Sequence, residues 1–108
     1  MKYLWLDDER PVPEYFHGGA AESVLTYEAA IDAILNSNDK ICISFDNDLG
    51  TKKTGYDFAK WLIEHNYTGY FHIHSMNPVG SFNIRQLLNH YGWTEVFYNI
   101  SNKNDLTF

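Results

Sequence analysis

The chain has 108 residues, of which 44% are hydrophobic and 20% charged, and its formal net charge is -6. This length and apolar content suit one hydrophobic core, so we expect a single folded domain over residues 1–108 rather than a disordered chain. The acidic balance argues against broad binding to duplex DNA, which relies on many Lys and Arg contacts. The single cysteine excludes an intrachain disulfide and a cysteine zinc site.

No apolar run approaches the length of a membrane span, and acidic residues begin at Asp7, which is not typical of a signal peptide. We therefore expect a cytoplasmic protein that has no membrane partner. Its small size and its Asn- and Tyr-rich composition suggest a phage or bacterial conflict system.

The first predicted element is a short buried strand over residues 2–6, which ends in an acidic turn. Proline and glycine keep residues 10–23 irregular, and we expect no helix there. A very short strand at residues 24–25 comes next. Apolar residues at helical spacing then predict an amphipathic helix over residues 27–35, with Thr26 as its N-cap.

The second half of the chain continues this alternation. Residues 41–45 are apolar on both faces, as expected for a central parallel strand. Thr54 and Asp57 resemble a capping box that opens the next helix. A third clear strand is predicted over residues 70–74. Pro78 suits the first turn of the last helix.

The chain then has two remaining predicted features. Gly92 closes the last helix, and residues 95–98 form a final strand. Residues 99–108 are polar, and we expect a loosely ordered tail. The whole pattern predicts an α/β fold with three layers: a flavodoxin-like parallel sheet of four to five strands in the order 2-1-3-4-5, with about three main helices.

Polar side chains follow the carboxyl ends of three predicted strands. Because these ends meet at one edge of a parallel sheet, the side chains should line one crevice. The same edge carries two helix N-termini, whose free N–H groups suit a phosphate. The groups in question are Asp7 and Asp8, then Asp46, Asn47 and Asp48, then His74, Ser75 and Asn77.

Each of these features also has a structural interpretation. An acidic turn after a strand is often only solvated, and Asp48 could cap a turn. His72 lies two residues before His74 and points to the same face of its strand, where we expect a structural histidine. Most aromatic residues should serve packing, and Trp5, beside the acidic turn, is the one candidate for stacking on a base. Cys42 is interpreted as a small buried hydrophobic residue.

Four ordered motifs resemble the cyclic-phosphate-processing receiver-like domains, which are compact relatives of response-regulator receivers. They are LWLDDER (4–10), ISFDNDLG (43–50), TGYDFAKWL (54–62) and HSMNPVG (74–80), followed by Asn83. The resemblance implies a receiver-like fold with a shortened first strand-to-helix connection. It also implies action on cyclic phosphate ends of RNA or on related cyclic nucleotides.

Two departures from the family pattern bear on function. The family's usual motif has a histidine between the acids of the second motif, where this chain has Asn47. If that histidine transfers protons in relatives, its role here is lost or falls to His74. An ordinary phosphoacceptor receiver uses a lysine directly after its last strand, whereas here Lys103 lies further on. This argues against phosphorylation of Asp46 as the main activity.

We therefore predict a phosphoesterase that opens cyclic phosphates at the strand-end crevice. Neighbouring carboxylates should raise the pKa of His74, so that it donates a proton to the leaving oxygen. Arg10 is a better placed charge clamp than Arg85. The predicted catalytic residues are His74, Asp46 and Asp8, the substrate-binding residues are Arg10, Ser75, Asn77, Asn47 and Asn83, and the ligands of a Mg²⁺ or Mn²⁺ ion are Asp7, Asp8, Asp46 and Asp48.

Three alternatives stay open at this point. In a metal-free version, Asp8 or Asp46 orients His74 and the carboxylates tune pKa values instead of holding an ion. In a second, the domain binds a nucleotide without cleaving it, or acts as a degenerate receiver through protein contacts. In the third and weakest, Asp46 is a phosphoacceptor. The predicted partner is a cyclic-phosphate nucleotide or RNA end.

Overall fold

The structure, a computed structural model, describes residues 1–98. Five parallel strands form one sheet in the order β2-β1-β3-β4-β5, which confirms the predicted order. The predicted tail over residues 99–108 lies outside the described residues. The strands are β1 (Lys2–Leu6), β2 (Glu22–Val24), β3 (Ile41–Phe45), β4 (Gly69–Ile73) and β5 (Thr94–Glu95).

Three helices connect these strands, and their ends carry the capping residues that the sequence predicts. They are α1 (Tyr27–Leu35), α2 (Gly55–Glu64) and α3 (Pro78–His90). The hydroxyl of Thr26 accepts from the backbone N–H of Ala29, and Thr54 forms the predicted capping box at α2. Gly92, with φ of 89°, follows α3 in the left-handed region that favours glycine. Among residues 1–98, no helix is long and apolar enough to cross a membrane.

The boundaries of three strands differ from the predicted ones. β2 covers residues 22–24 instead of 24–25, because Val24 pairs with Leu6 at the end of β1. β4 ends one residue before His74. β5 has only two residues instead of the predicted 95–98, because its ladder ends after Glu95, where the backbone N–H of Val96 donates to Phe71.

All three helices pack on one face of the sheet, which we call the helix face. Side chains of alternate strand residues point to this face, as the period of two of a strand requires. The core there is continuous and includes three fully buried phenylalanines. Its largest members are Leu4, Leu6, Ile34, Ile43, Phe45, Phe58, Leu62, Phe71, Ile84 and Leu88.

The opposite face, which we call the segment face, is covered by residues 10–21 rather than by a helix. This segment contains only a single 3-10 turn, His17–Gly19, in agreement with the prediction that no α-helix forms there. Phe16 from this segment is fully buried against Trp5 and Cys42. The third layer of the fold is therefore an irregular segment that works as a packing layer.

We expect Phe16→Ala to destabilise the protein by about 3–5 kcal/mol, the usual loss for a buried phenylalanine. The measurement is urea denaturation followed by tryptophan fluorescence. Phe82→Ala is the matched control, because Phe82 on α3 is 54% exposed, and its loss should stay within about 0.5 kcal/mol. Equal small effects for both variants would show that residues 10–21 are not part of the core.

Candidate active site

Three strand ends place Asp7, Asp46 and His74 together. The ladder continues one residue past the strands: Asp46 N–H donates to Leu6 and His74 N–H donates to Phe45, each at 3.0 Å. These bonds set the three residues side by side at the carboxyl edge of the sheet. One ligating atom from each of Asp7, Asp46 and His74 lies within 4.8 Å of the others.

Asp7 is the most enclosed of the three, with 1% of its surface exposed. Its Oδ1 accepts from the backbone N–H groups of Glu9 and Arg10, at 2.8 and 2.9 Å. Its Oδ2 accepts from Arg10 Nε and lies 3.0 Å from Nε2 of His74. Burial alone raises the pKa of Asp7, but the hydrogen bonds from Arg10, Glu9 and His74 together lower it. Asp7 is therefore ionised at neutral pH.

The pKa of Asp46 is shifted in the opposite direction to that of Asp7. Burial raises the pKa of its carboxyl group, and the negative charge of Asp7 raises it further. The hydroxyl of Ser75 and the backbone N–H of Asp48 oppose this shift without cancelling it. Two close carboxylates whose pKa values move apart are a common feature of sites that transfer protons or hold a cation.

His74 is held on three sides. Its Nε2 faces Asp7, its Nδ1 lies 2.7 Å from the hydroxyl of Ser44, and its ring stacks on Trp5 with centroids 3.7 Å apart. Burial lowers the pKa of His74 to about 4, although Asp7 acts to raise it. The prediction of a raised pKa is therefore wrong, because desolvation outweighs the carboxylate. The imidazole is neutral at neutral pH.

Two of the four predicted metal ligands lie outside this group. Asp8 turns toward the loop after β3, where a Cβ added to Gly50 would come within 2.9 Å of Asp8 Oδ2. Asp48 is exposed at the crevice wall, 3.4 Å from Nδ2 of Asn77. Among the described residues, the group of possible metal ligands consists of Asp7, Asp46 and His74, so His74 takes the place of Asp8 and Asp48. The predicted catalytic role of Asp8 has no support from this geometry.

Three predicted substrate contacts lie at or near the crevice. Arg10 is half-exposed, and besides Asp7 its guanidinium donates to the backbone oxygen of His74 at 3.2 Å. Ser75 lies against Asp46. Asn77 caps α3, because its Oδ1 accepts from the N–H of Gly80, and it turns its Nδ2 toward Asp48. Their contact with substrate stays a prediction.

The other two predicted contacts have different surroundings. Asn47 is nearly buried, and its Oδ1 accepts from the N–H of Tyr56 at 3.1 Å, so its amide holds the start of α2. Its side chain also packs so closely on Gly80 that a Cβ there would lie 2.6 Å away. Asn83 lines a groove between α2 and α3 with Tyr56. Neither position supports the predicted substrate contact.

Two further sequence interpretations need correction. Trp5 is 2% exposed and lies under His74, so it cannot stack on a base of the substrate. Arg85 forms a bidentate pair with Glu95 and is not a free charge clamp. In contrast, Cys42 is buried as predicted.

Sequence reasoning missed Ser44 altogether. It is fully buried and contacts both His72 and His74. The signal that could have found it is the alternation along each strand, because Ser44 and His72 are polar residues on the same face as the site residues two positions further on.

Comparison with known families supplies the context for this site. Residues 2–90 match the family described as the cyclic-phosphate processing receiver domain. The chain belongs to this family. Comparisons with curated proteins and with solved structures give no significant match. The matched range contains Asp7, Arg10, Ser44, Asp46 and His74.

The crevice of this receiver domain has a volume of about 450 Å³, in the range of small-ligand sites. Its walls are acidic except for one guanidinium and one exposed apolar side chain. The lining residues are Asp7, Glu9, Arg10, Asp46, Asp48 and Met76.

The donor set of the receiver domain fits a divalent cation. Mg²⁺ and Mn²⁺ prefer carboxylate oxygens, which Asp7 and Asp46 supply. His74 adds an imidazole nitrogen, which transition-metal ions accept more readily than Mg²⁺ does. A cation would also relieve the repulsion between the two carboxylates. These residues could therefore hold a metal.

We expect Asp46→Asn to stabilise the metal-free receiver domain. Because the folded protein raises the pKa of Asp46, ionisation of this group costs stability as pH rises above the ordinary value of 3.8, and the cost is in place at pH 7. Calorimetry in EDTA at pH 7 should give a higher Tm for Asp46→Asn than for wild type. A lower Tm would contradict this electrostatic interpretation.

The same calorimetry with added Mg²⁺ or Mn²⁺ tests whether Asp46 ligates the cation. Wild type should gain about 2.7 kcal/mol when the cation is at 100 times its Kd, and Asp46→Asn should lose this gain. Asp48→Asn is the matched control, since Asp48 lines the same crevice outside the three-residue group.

Proposed function

We propose that this protein is a phosphoesterase that opens cyclic phosphodiesters, such as 2′,3′-cyclic phosphate ends of RNA or cyclic nucleotides. The proposal is carried by the grouping of Asp7, Asp46 and His74 within 4.8 Å, because two of the three, Asp7 and Asp46, line a small crevice. Membership of the cyclic-phosphate processing family supports the substrate class.

In the proposed reaction, Asp46 accepts the proton of the attacking water. Its raised pKa brings the carboxylate closer to the basicity that a general base needs. The water oxygen forms a new bond to phosphorus while the bond from phosphorus to one ring ester oxygen breaks. That ester oxygen leaves with a proton, which protonated Asp46 or solvent returns. One water is consumed and a phosphomonoester is formed.

The other groups stabilise charge. His74 is neutral and its Nε2–H donates to Asp7, so it acts as a fixed donor to that carboxylate and not as the proton source that the sequence suggested. Half-exposed Arg10 places a positive charge beside the phosphoryl oxygens. Ionised Asp7 anchors both Arg10 and His74 and so fixes where these donors point.

Asp7, Asp46 and His74 would hold a divalent cation, if the protein uses one. Such a cation supplies Lewis-acid chemistry, because it neutralises phosphoryl oxygens and lowers the pKa of a bound water. It would also offset the negative charge that otherwise repels a phosphate from this crevice. In the metal-free version, the half-exposed guanidinium of Arg10 is the group that attracts the phosphate.

One observation favours a second candidate, a module that binds a nucleotide without cleaving it. Asn47 stands where the family's usual pattern has a histidine. Its side-chain Oδ1 accepts a hydrogen bond from the backbone N–H of Tyr56, at the start of α2. If that histidine is needed for proton transfer, binding would remain and turnover would not.

The test is turnover of 2′,3′-cyclic nucleotides and cyclic oligonucleotides, followed by chromatography. We expect wild type to produce phosphomonoesters and Asp46→Asn to lose at least about 100-fold in kcat, the range for removal of a general base. Each reaction is run in EDTA, Mg²⁺ and Mn²⁺, so that the metal-dependent and metal-free versions give different results.

Asp39→Asn is the control, because Asp39 is an exposed acid just before β3, at the opposite edge of the sheet. It should keep wild-type turnover. Binding of the cyclic nucleotide without turnover by wild type under all three conditions would overturn the esterase proposal in favour of the binding module.

A further inference from the structure

The hydroxyl of Ser44 lies between two histidine rings. Its Oγ is 2.6 Å from Nδ1 of His72 and 2.7 Å from Nδ1 of His74. The three residues share the segment face, where Ser44 of β3 pairs with His72 of β4 in register. Ser44 is fully buried and His72 is 8% exposed, so water cannot easily substitute for either contact.

A serine hydroxyl carries one hydrogen, which decides how both contacts are made. The hydroxyl can donate to one ring nitrogen and accept from the other, but it cannot donate to both. The two Nδ1 atoms therefore play different roles: one accepts from the hydroxyl, and the other donates its hydrogen to Oγ.

Asp7 selects the direction of this chain. Its ionised Oδ2 lies 3.0 Å from Nε2 of His74, so that nitrogen must carry the hydrogen. Nδ1 of His74 then accepts from the Ser44 hydroxyl, and Ser44 Oγ accepts from Nδ1–H of His72. Hydrogen bonds thus run in one direction from His72 through Ser44 and His74 to Asp7.

We propose that Ser44 and His72 are positioning residues for His74 in the metal-free protein: together they fix its tautomer and the rotation of its ring, so that its Nε2–H is held on Asp7, beside Asp46. Stacking on Trp5 fixes only the plane of the ring, because it still allows a rotation by 180° about the Cβ–Cγ bond, which exchanges the positions of ring nitrogen and carbon atoms. The hydrogen bond from Ser44 prevents this rotation. The effect on turnover rests on the proposed function, whereas the tautomers do not.

The hydrogen-bond chain is tested by nitrogen-15 NMR of the histidine rings in EDTA at pH 7. We expect hydrogen on Nε2 of His74 and on Nδ1 of His72 in wild type. In Ser44→Ala, Nδ1–H of His72 loses its acceptor and His72 should shift toward the other tautomer. Identical tautomers in both wild-type rings, or unchanged rings in Ser44→Ala, would overturn the inference.

Cys42→Ala is the matched control for Ser44→Ala. Cys42 is a small buried residue on the same strand and the same face, two positions earlier. It should leave both tautomers unchanged. Thermal denaturation of every variant shows whether it folds, and the wild-type ring tautomers test the inference even if Ser44→Ala does not fold.

Kinetics separate positioning from simple packing. Ser44→Ala and His72→Leu should each lower kcat about 10-fold or more with little change in KM. His72→Asn should restore most of kcat, because its amide N–H can donate to Ser44 in place of Nδ1. If both His72 variants behave alike, His72 does not act through Ser44. If wild type shows the expected tautomers and no turnover, the proposed function fails and the hydrogen-bond chain stands.

Discussion

The buried contact between Asp7 and His74 is the interaction on which the site depends. It joins the ends of β1 and β4, which are not neighbours in the sheet, across the end of β3. Asp7 is almost completely buried, so its carboxylate needs donors, and His74 is one of only a few available. The same contact fixes the tautomer of His74, whose burial keeps it neutral. Asp46, beside this pair, then has a raised pKa because the anchored charge is close.

The segment face makes this arrangement possible. Residues 10–21 cover the sheet with aromatic side chains where another helix could have packed, and Phe16 of this segment packs against Trp5 of β1 with the ring planes tilted by 53°. His74 stacks on Trp5 and His72 stacks on Phe16, and Ser44 is fully buried between the two histidines. The shortened connection thus has two consequences: it begins at Arg10, which reaches Asp7, and it desolvates the two histidines, which lowers their pKa values.

Much of the fold follows from local sequence patterns, whereas the choice of site residues does not. Strand-end acids, the N-caps of Thr26 and Thr54, and the alternation of elements predict the sheet order and the crevice. Asp8 was predicted as a ligand beside Asp7, although only Asp7 continues the segment-face alternation from Trp5, as Asp46 does from Ser44. This alternation of side chains along each strand can be read from the sequence. The pKa of His74 cannot be read from the sequence, because it depends on burial by residues that are distant in sequence.

We propose that Asp7, Asp46 and His74 form one reacting centre for a phosphate ester. A crystal structure grown with Mn²⁺ and a 2′,3′-cyclic nucleotide tests it most directly, because the anomalous signal locates the ion and the density locates the phosphate. We expect the phosphate in the crevice beside Asp46 and Arg10, with any bound ion ligated by the three residues. A phosphate bound elsewhere, with these three side chains untouched, would contradict the claim.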